Sequence, residues 1–407
     1  MISYSLKPNA SSNSVDWHDS TVWAGGVVPN APDADVDFPI VTQNSTGEPY
    51  ISSISILDGE GFAIRSLALR DYLSVYGSLS VSGTLTQSDA GEIDMNGGTL
   101  SAGAIIDGAY DIQGDGHIIV GTLTNNSLTI GGALTIDVTT LVNAGTLAAS
   151  SGTTTINVGA GGLSGFAGGT LGNGTLEAYP GATLALDAGS IIATDAGTII
   201  LAGGSTGQDM SLTSSLHAIA AGGSLSVTSG TYHFGQLTAA GTLSLSDAAQ
   251  FTADQLIIAP GGHLTGSGTL SSAVENDGVI QVGSYLQGGA PGYGGTLVLG
   301  GAVTGSGSIE ILPAHGYDQI HVGYVYSGAT LEIAGPIAQN ILFDDAYEIL
   351  RLDEPTGLTG SITVATAISD FYNSYSDKIF LPNVDFNSIV GESYAGSAAG
   401  GRRPAAR

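Results

Sequence analysis

Only a handful of residues in this chain have the types and spacing that could do chemistry. Gly114-Asp-Gly-His117 joins a carboxylate and an imidazole, and Asp33, Asp35, Asp37 and the pair Asp344-Asp345 supply clustered carboxylates. Glycoside hydrolysis needs two carboxylates placed across one bond, so these are the positions where an enzyme would show itself. Against that reading, Gly114 to His117 is a glycine-rich corner, Asp344-Asp345 falls in a terminal segment, and only Arg65 and Arg70 could clamp a substrate on the repeats. The sequence is therefore read as having no catalytic residue and no cofactor, and as not being an enzyme.

Metal chemistry is tested the same way. Alternating Asp33, Asp35 and Asp37 on an extended segment point to one side and could hold Ca²⁺ weakly, since that ion takes six to eight oxygens. An EF-hand is excluded by Phe38 and Asn44 at the positions that need Gly and Glu, and a solvated acidic turn is the preferred reading. The seven histidines lack zinc spacing; the nearest approach is His315 and His321 with Asp318 between them. There is no cysteine, so disulfides, thiolate sites and a Cys nucleophile are excluded, and no phosphate-binding Gly-x-x-x-x-Gly-Lys-Ser/Thr loop occurs. No metal site is expected.

Charge narrows the partners. Thirty-six acidic residues face eight basic ones, a net of −28, and Arg402, Arg403 and Arg407 lie in the last six residues. Nothing could neutralise a run of phosphates, so nucleic acid is disfavoured, as is attachment to an anionic membrane. No apolar run is long enough to insert in a bilayer. The start of the chain has no apolar signal region, so an export signal is expected outside it.

Positioning elements follow from repetition. Gly-Thr-Leu occurs nine times, starting at Gly83, Gly98, Gly121, Gly145, Gly169, Gly174, Gly241, Gly268 and Gly295, with successive spacings of 23 to 27 residues in two stretches. Asn143-Ala-Gly-Thr-Leu147 and Asn276-Asp-Gly-Val-Ile280 share a second pattern, Asn-x-Gly-x-Leu/Ile. Sixty-three glycines and 11% charged residues make poor helices, whereas Leu79-Ser-Val-Ser82 and Leu243-Ser-Leu-Ser246 alternate with the period of strands. Short strands in stacked units of this length predict an all-β fold, a right-handed parallel β-helix. If the motif marks one place in each coil, Leu100, Leu123, Leu147 and Leu171 form a single inward ladder.

The ends differ in texture. Residues 1–50 hold Trp17, Trp23 and five of thirteen prolines and read as an N-terminal cap, with burial of the two tryptophans preferred over sugar stacking. Solenoid repeats occupy 51–340, a C-terminal β module 341–396, and a disordered tail 397–407.

Asp16-Trp17, Trp23-Ala-Gly-Gly-Val-Val-Pro-Asn30 and Asp33-Ala-Asp35 resemble the opening of bacterial autotransporter-passenger-like secreted β-helix proteins. The Gly-Thr-Leu and Asn-x-Gly units are similar to their repeats. Ile349-Leu-Arg-Leu-Asp353, Leu358-Thr-Gly-x-Ile362 and Asp377-Lys-Ile-Phe-Leu-Pro382 resemble a module that follows the solenoid, sometimes ahead of a Hint-type domain. No translocator-like strands follow residue 397, so the chain reads as a passenger-like fragment. The resemblance implies a bacterial, extracellular or cell-surface structural or adhesive protein whose ligand is a host surface or an extracellular polysaccharide. The alternative is a β-helical carbohydrate-active enzyme or carbohydrate-binding module.

Overall fold

Alternation of apolar and hydroxyl side chains leaves each strand with one face to bury, and short strands with that pattern stabilise one another only by stacking. A computed structural model describes residues 2–5, 14–38, 53–88, 91–108, 111–187, 191–203, 205–206, 212–283, 295–312, 315–318, 323–326, 328–344, 348–364 and 377–384. Among these residues, 34 strands form one sheet wound into a parallel β-helix. Two short antiparallel pairings interrupt the rule, Phe166–Ala167 with Thr170–Leu171 and His315–Asp318 with Gly323–Tyr326. No described helix is long and apolar enough to cross a membrane.

Each coil has three faces. Face 1 begins with Ile2–Ser5, Ala34–Phe38 and Ser66–Leu69 and passes through 104–106, 122–125 and 140–143. Face 2 begins with Ser14–Asp16, Ser53–Ile56 and Tyr72–Val75, and its later strands include 146–149, Thr175–Ala178 and 198–201. Face 3 begins with Gly61–Ile64 and includes 78–81, 99–102, 117–120, 135–138 and 155–158. Residues at register partners lie about 4.8 Å apart up the helix. Leu79, Leu100, Ile118, Ile136 and Ile156 are such partners, so a coil here takes 18 to 21 residues.

That length corrects the Gly-Thr-Leu reading. The expected Leu100–Leu123–Leu147–Leu171 ladder does not exist: Leu100 stacks between Leu79 and Ile118 on face 3, and Leu123 between Ile105 and Leu141 on face 1. Leu147 stacks between Leu128 and Leu176 on face 2, while Leu171 pairs with Asp195 on face 1. A spacing of 23 or 24 residues overshoots one coil and lands on another face. What the motif marks is the entry to a strand. In all nine copies the Thr is partly exposed and the Leu is buried. The glycine is where the corner crosses the coil below: a Cβ on Gly145 would lie 1.6 Å from the Asn126 carbonyl oxygen, and one on Gly98 2.5 Å from that of Val75. Neither has a positive φ, so close approach and not left-handed backbone excludes a side chain there.

The first 38 residues are part of the sheet, since Ile2–Ser5 pairs with Ala34–Phe38 and Ser14–Asp16 with Ser53–Ile56. Trp17 and Trp23 are both fully buried, 5.1 Å apart edge to face, and Trp17 lies 5.7 Å from Phe62 on the first strand of face 3. Their ring nitrogens donate to the carbonyls of Pro29 (3.0 Å) and Trp17 (2.9 Å), so neither is left unsatisfied. At the other end Ile349–Leu352, Ile362–Val364 and Lys378–Phe380 continue the same parallel register. The tail 397–407 lies outside the described residues.

Candidate functional site

The chemistry-bearing residues are placed by the strand period. In Ala34–Phe38 the inward positions Ala34, Val36 and Phe38 are buried, which turns Asp35 and Asp37 outward. There Asp35 accepts from Arg65 Nε at 2.7 Å and Ser66 Oγ at 2.6 Å, with a second Arg65 nitrogen on its other oxygen. These bonds hold its carboxyl below the usual range, Arg65 being the larger cause. Arg70 Nε approaches Asp37 at 3.9 Å. The alternate aspartates thus face fixed guanidinium groups, an arrangement unlike an open cation site, and among the described residues no three His, Asp or Glu converge as metal ligands.

His117 sits on face 3, just past the glycine corner Gly114 to Gly116. Its Nε2 is 2.7 Å from Asp137 Oδ2 on the next coil, and Asn157 Nδ2 donates to Asp137 Oδ1 at 2.7 Å from the coil after that. The two bonds, that from Asn157 the larger, lower the Asp137 pKa and keep the carboxylate charged. Asp115, the other carboxylate of the motif, points elsewhere, being the register partner of Asn96 on face 2. Asp344 is exposed at the end of Asn340–Phe343; Asp345 and His321, and the side chains of His315 and Asp318, lie outside the description.

Beside His117 the surface sinks into a depression of about 370 Å³, lined by Ile119, Val120, Asp137, Val138, Thr139, Asn157, Val158 and Gly159. It contains one carboxylate. Carboxylates elsewhere on the strands follow the same arrangement, each beside an amide or a cation on a neighbouring coil: Glu92 with Gln113, Glu310 with Gln281 at 2.9 Å, Glu332 with Arg351 at 3.8 Å. Cross-strand carboxylate pairs would repel at this spacing, and neutral donors remove that cost. Near Glu92, burial and the charges of Asp94 and Glu92 push the Tyr72 hydroxyl up to about 12.

A feature the sequence reading missed is an internal polar corner between faces 1 and 2. Gln87, Asp107, Asn125 and Asn143 are buried there on four successive coils. Asn125 Nδ2 donates to Asn143 Oδ1, Asn125 Oδ1 accepts the Leu128 amide at 2.7 Å, and Asp107 accepts that of Ser127 at 3.1 Å. Asn276, at the same corner farther along, donates to Gln339 Oε1 at 2.8 Å, so both Asn-x-Gly motifs serve one purpose. They bind corner backbone groups that the strands leave unpaired. The 18- and 20-residue spacings of these four polar residues were the signal that could have revealed the coil length.

No family model, curated protein or solved structure matches this chain.

Proposed function

We propose that this chain is a secreted or surface-exposed adhesin-like β-solenoid of bacterial autotransporter-passenger type, without a catalytic site, that presents its outer faces to an extracellular polysaccharide or host surface. The observation that carries the reading is a column on face 2. Ser127, Thr146, Thr175, Thr198, Ser224 and Thr242 are consecutive register partners, all on the outward side of their strands. Six hydroxyls at about 4.8 Å intervals make a long uncharged strip that can hydrogen-bond a linear polymer along the axis. The sheet beneath is continuous, which suits a rigid display rod. The single carboxylate in the face 3 depression supports binding over hydrolysis, which needs two.

The experiment is binding of the purified chain to immobilised neutral and amine-bearing polysaccharides and to whole cells, with reducing ends measured in parallel. Retention without release of reducing ends is expected. Release of sugar, lost on changing Asp137, would overturn the reading in favour of a β-helical hydrolase.

A further inference from the structure

We infer that the depression on face 3 is a binding subsite for an amine-bearing sugar unit, with Asp137 as the anion that meets the ammonium group and Ile119 as the apolar platform for the ring. The inference rests on the polysaccharide-binding reading above and names the chemistry it would select.

Three observations converge. First, the site has an aliphatic base. Ile119 is 45% exposed on a strand position where the partner coils carry Ser101 and Asp137, and the ends of Val120, Val138 and Val158 line the same hollow. An outward Ile among hydroxyls and amides is out of place on a solvated face and in place under the C–H surface of a sugar ring. Second, the polar groups are held in position. Asp137 is fixed by His117 on one oxygen and Asn157 on the other, and it remains 45% exposed, so lone pairs are left for a ligand.

Third, charge complementarity selects a cation. No Lys or Arg occurs between Arg70 and Arg351, so the coils around the depression offer carboxylates and no counter-charge of their own. A uronate or sulfated glycan would be repelled by this body, whereas an ammonium-bearing unit brings the missing charge. The hollow exists because the coil changes course there. Gly159 and Gly162 bring the corner against the Thr139 carbonyl, where a Cβ would lie 2.9 and 2.0 Å away, and the chain then leaves on a longer excursion before rejoining face 3 at Thr183–Asp187. Without a side chain at Gly159 the rim stays low.

The test is calorimetric titration of the intact chain with a glucosamine disaccharide, its N-acetylated counterpart and dilysine, in about 0.3 M NaCl to screen diffuse attraction. The glucosamine disaccharide is expected to bind at one site, with at least about tenfold loss in Asp137→Asn and in Ile119→Ser. Circular dichroism checks that both variants keep the parent fold. The N-acetylated sugar, lacking the ammonium, should bind at least about tenfold more weakly to the parent. Unchanged affinity in both folded variants would overturn the assignment. So would dilysine binding as tightly as the sugar, because the site would then read charge alone. If Asp137→Asn still adheres to polysaccharide surfaces like the parent, the adhesive reading survives and this subsite falls.

Discussion

The coils from Tyr72 to Val158 and those from Gly159 to Ile219 solve the same packing problem with different amounts of chain. In the first stretch a coil takes 18 to 21 residues, strands run round the corners, and Ile112–Gly131 and Leu134–Ser151 are each continuous. In the second, Ile156 is followed on the same face by Leu186, and face 1 shrinks to the two-residue strands Thr170–Leu171 and Thr194–Asp195. Yet Leu147, Leu176 and Ile199 stay in register across the boundary on face 2 and all are fully buried. Extra chain is thus taken up at corners while the inward column is preserved, as expected where each coil touches only its neighbours.

The comparison is broken most directly by cavities on its two sides. Leu147→Ala, in the regular stretch with Leu128 below and Leu176 above, should cost about 4 kcal/mol, toward the upper end of the range for such truncations. Leu171→Ala, on a two-residue strand that can relax, should cost about 2 kcal/mol. Urea unfolding of both variants checks the order, and equal costs would mean that the short strands are as constrained as the long ones.

Asp195 sharpens it through pH. It is buried in the irregular stretch, where loss of hydration raises its pKa from 3.8 to about 6 against the pull of the Gly197 and Ser224 amides. A carboxyl whose folded pKa is raised binds a proton more tightly when folded. Stability is therefore lost as pH rises from the unfolded value through the folded one, by up to about 3 kcal/mol above that window. Asp195→Asn should raise the melting temperature at about pH 8 and change it little at about pH 3.5, and thermal melts at both values decide it. A gain that is the same at both values would show that the effect is packing and not ionisation. Least affected should be Arg65→Ala, whose ion pair with Asp35 is at the surface: urea midpoints are expected to match the parent.

The fold class was legible because strand alternation and corner glycines are local signals. The coil length was not, because Gly-Thr-Leu marks the start of a strand on any of three faces, and a motif used several times per turn has no fixed relation to the turn. The Trp17 and Trp23 burial followed from their size and spacing. The polar corner escaped because Gln87, Asp107, Asn125 and Asn143 differ in type, and only their registration across coils shows that they belong together. His117 was noticed in sequence, but as a partner of Asp115; the pleat sends those two to different faces and brings in Asp137 and Asn157 from coils above.

The run without Lys or Arg from Asp71 to Leu350 has a further consequence. Proteases that require a basic residue before the scissile bond find none anywhere along the shaft, at corners or on strands. Digestion by such an enzyme would trim the two ends and leave the hydroxyl column and the face 3 hollow on one intact polypeptide. For a rod exposed among secreted proteases, durability would then be written into composition as well as into the sheet.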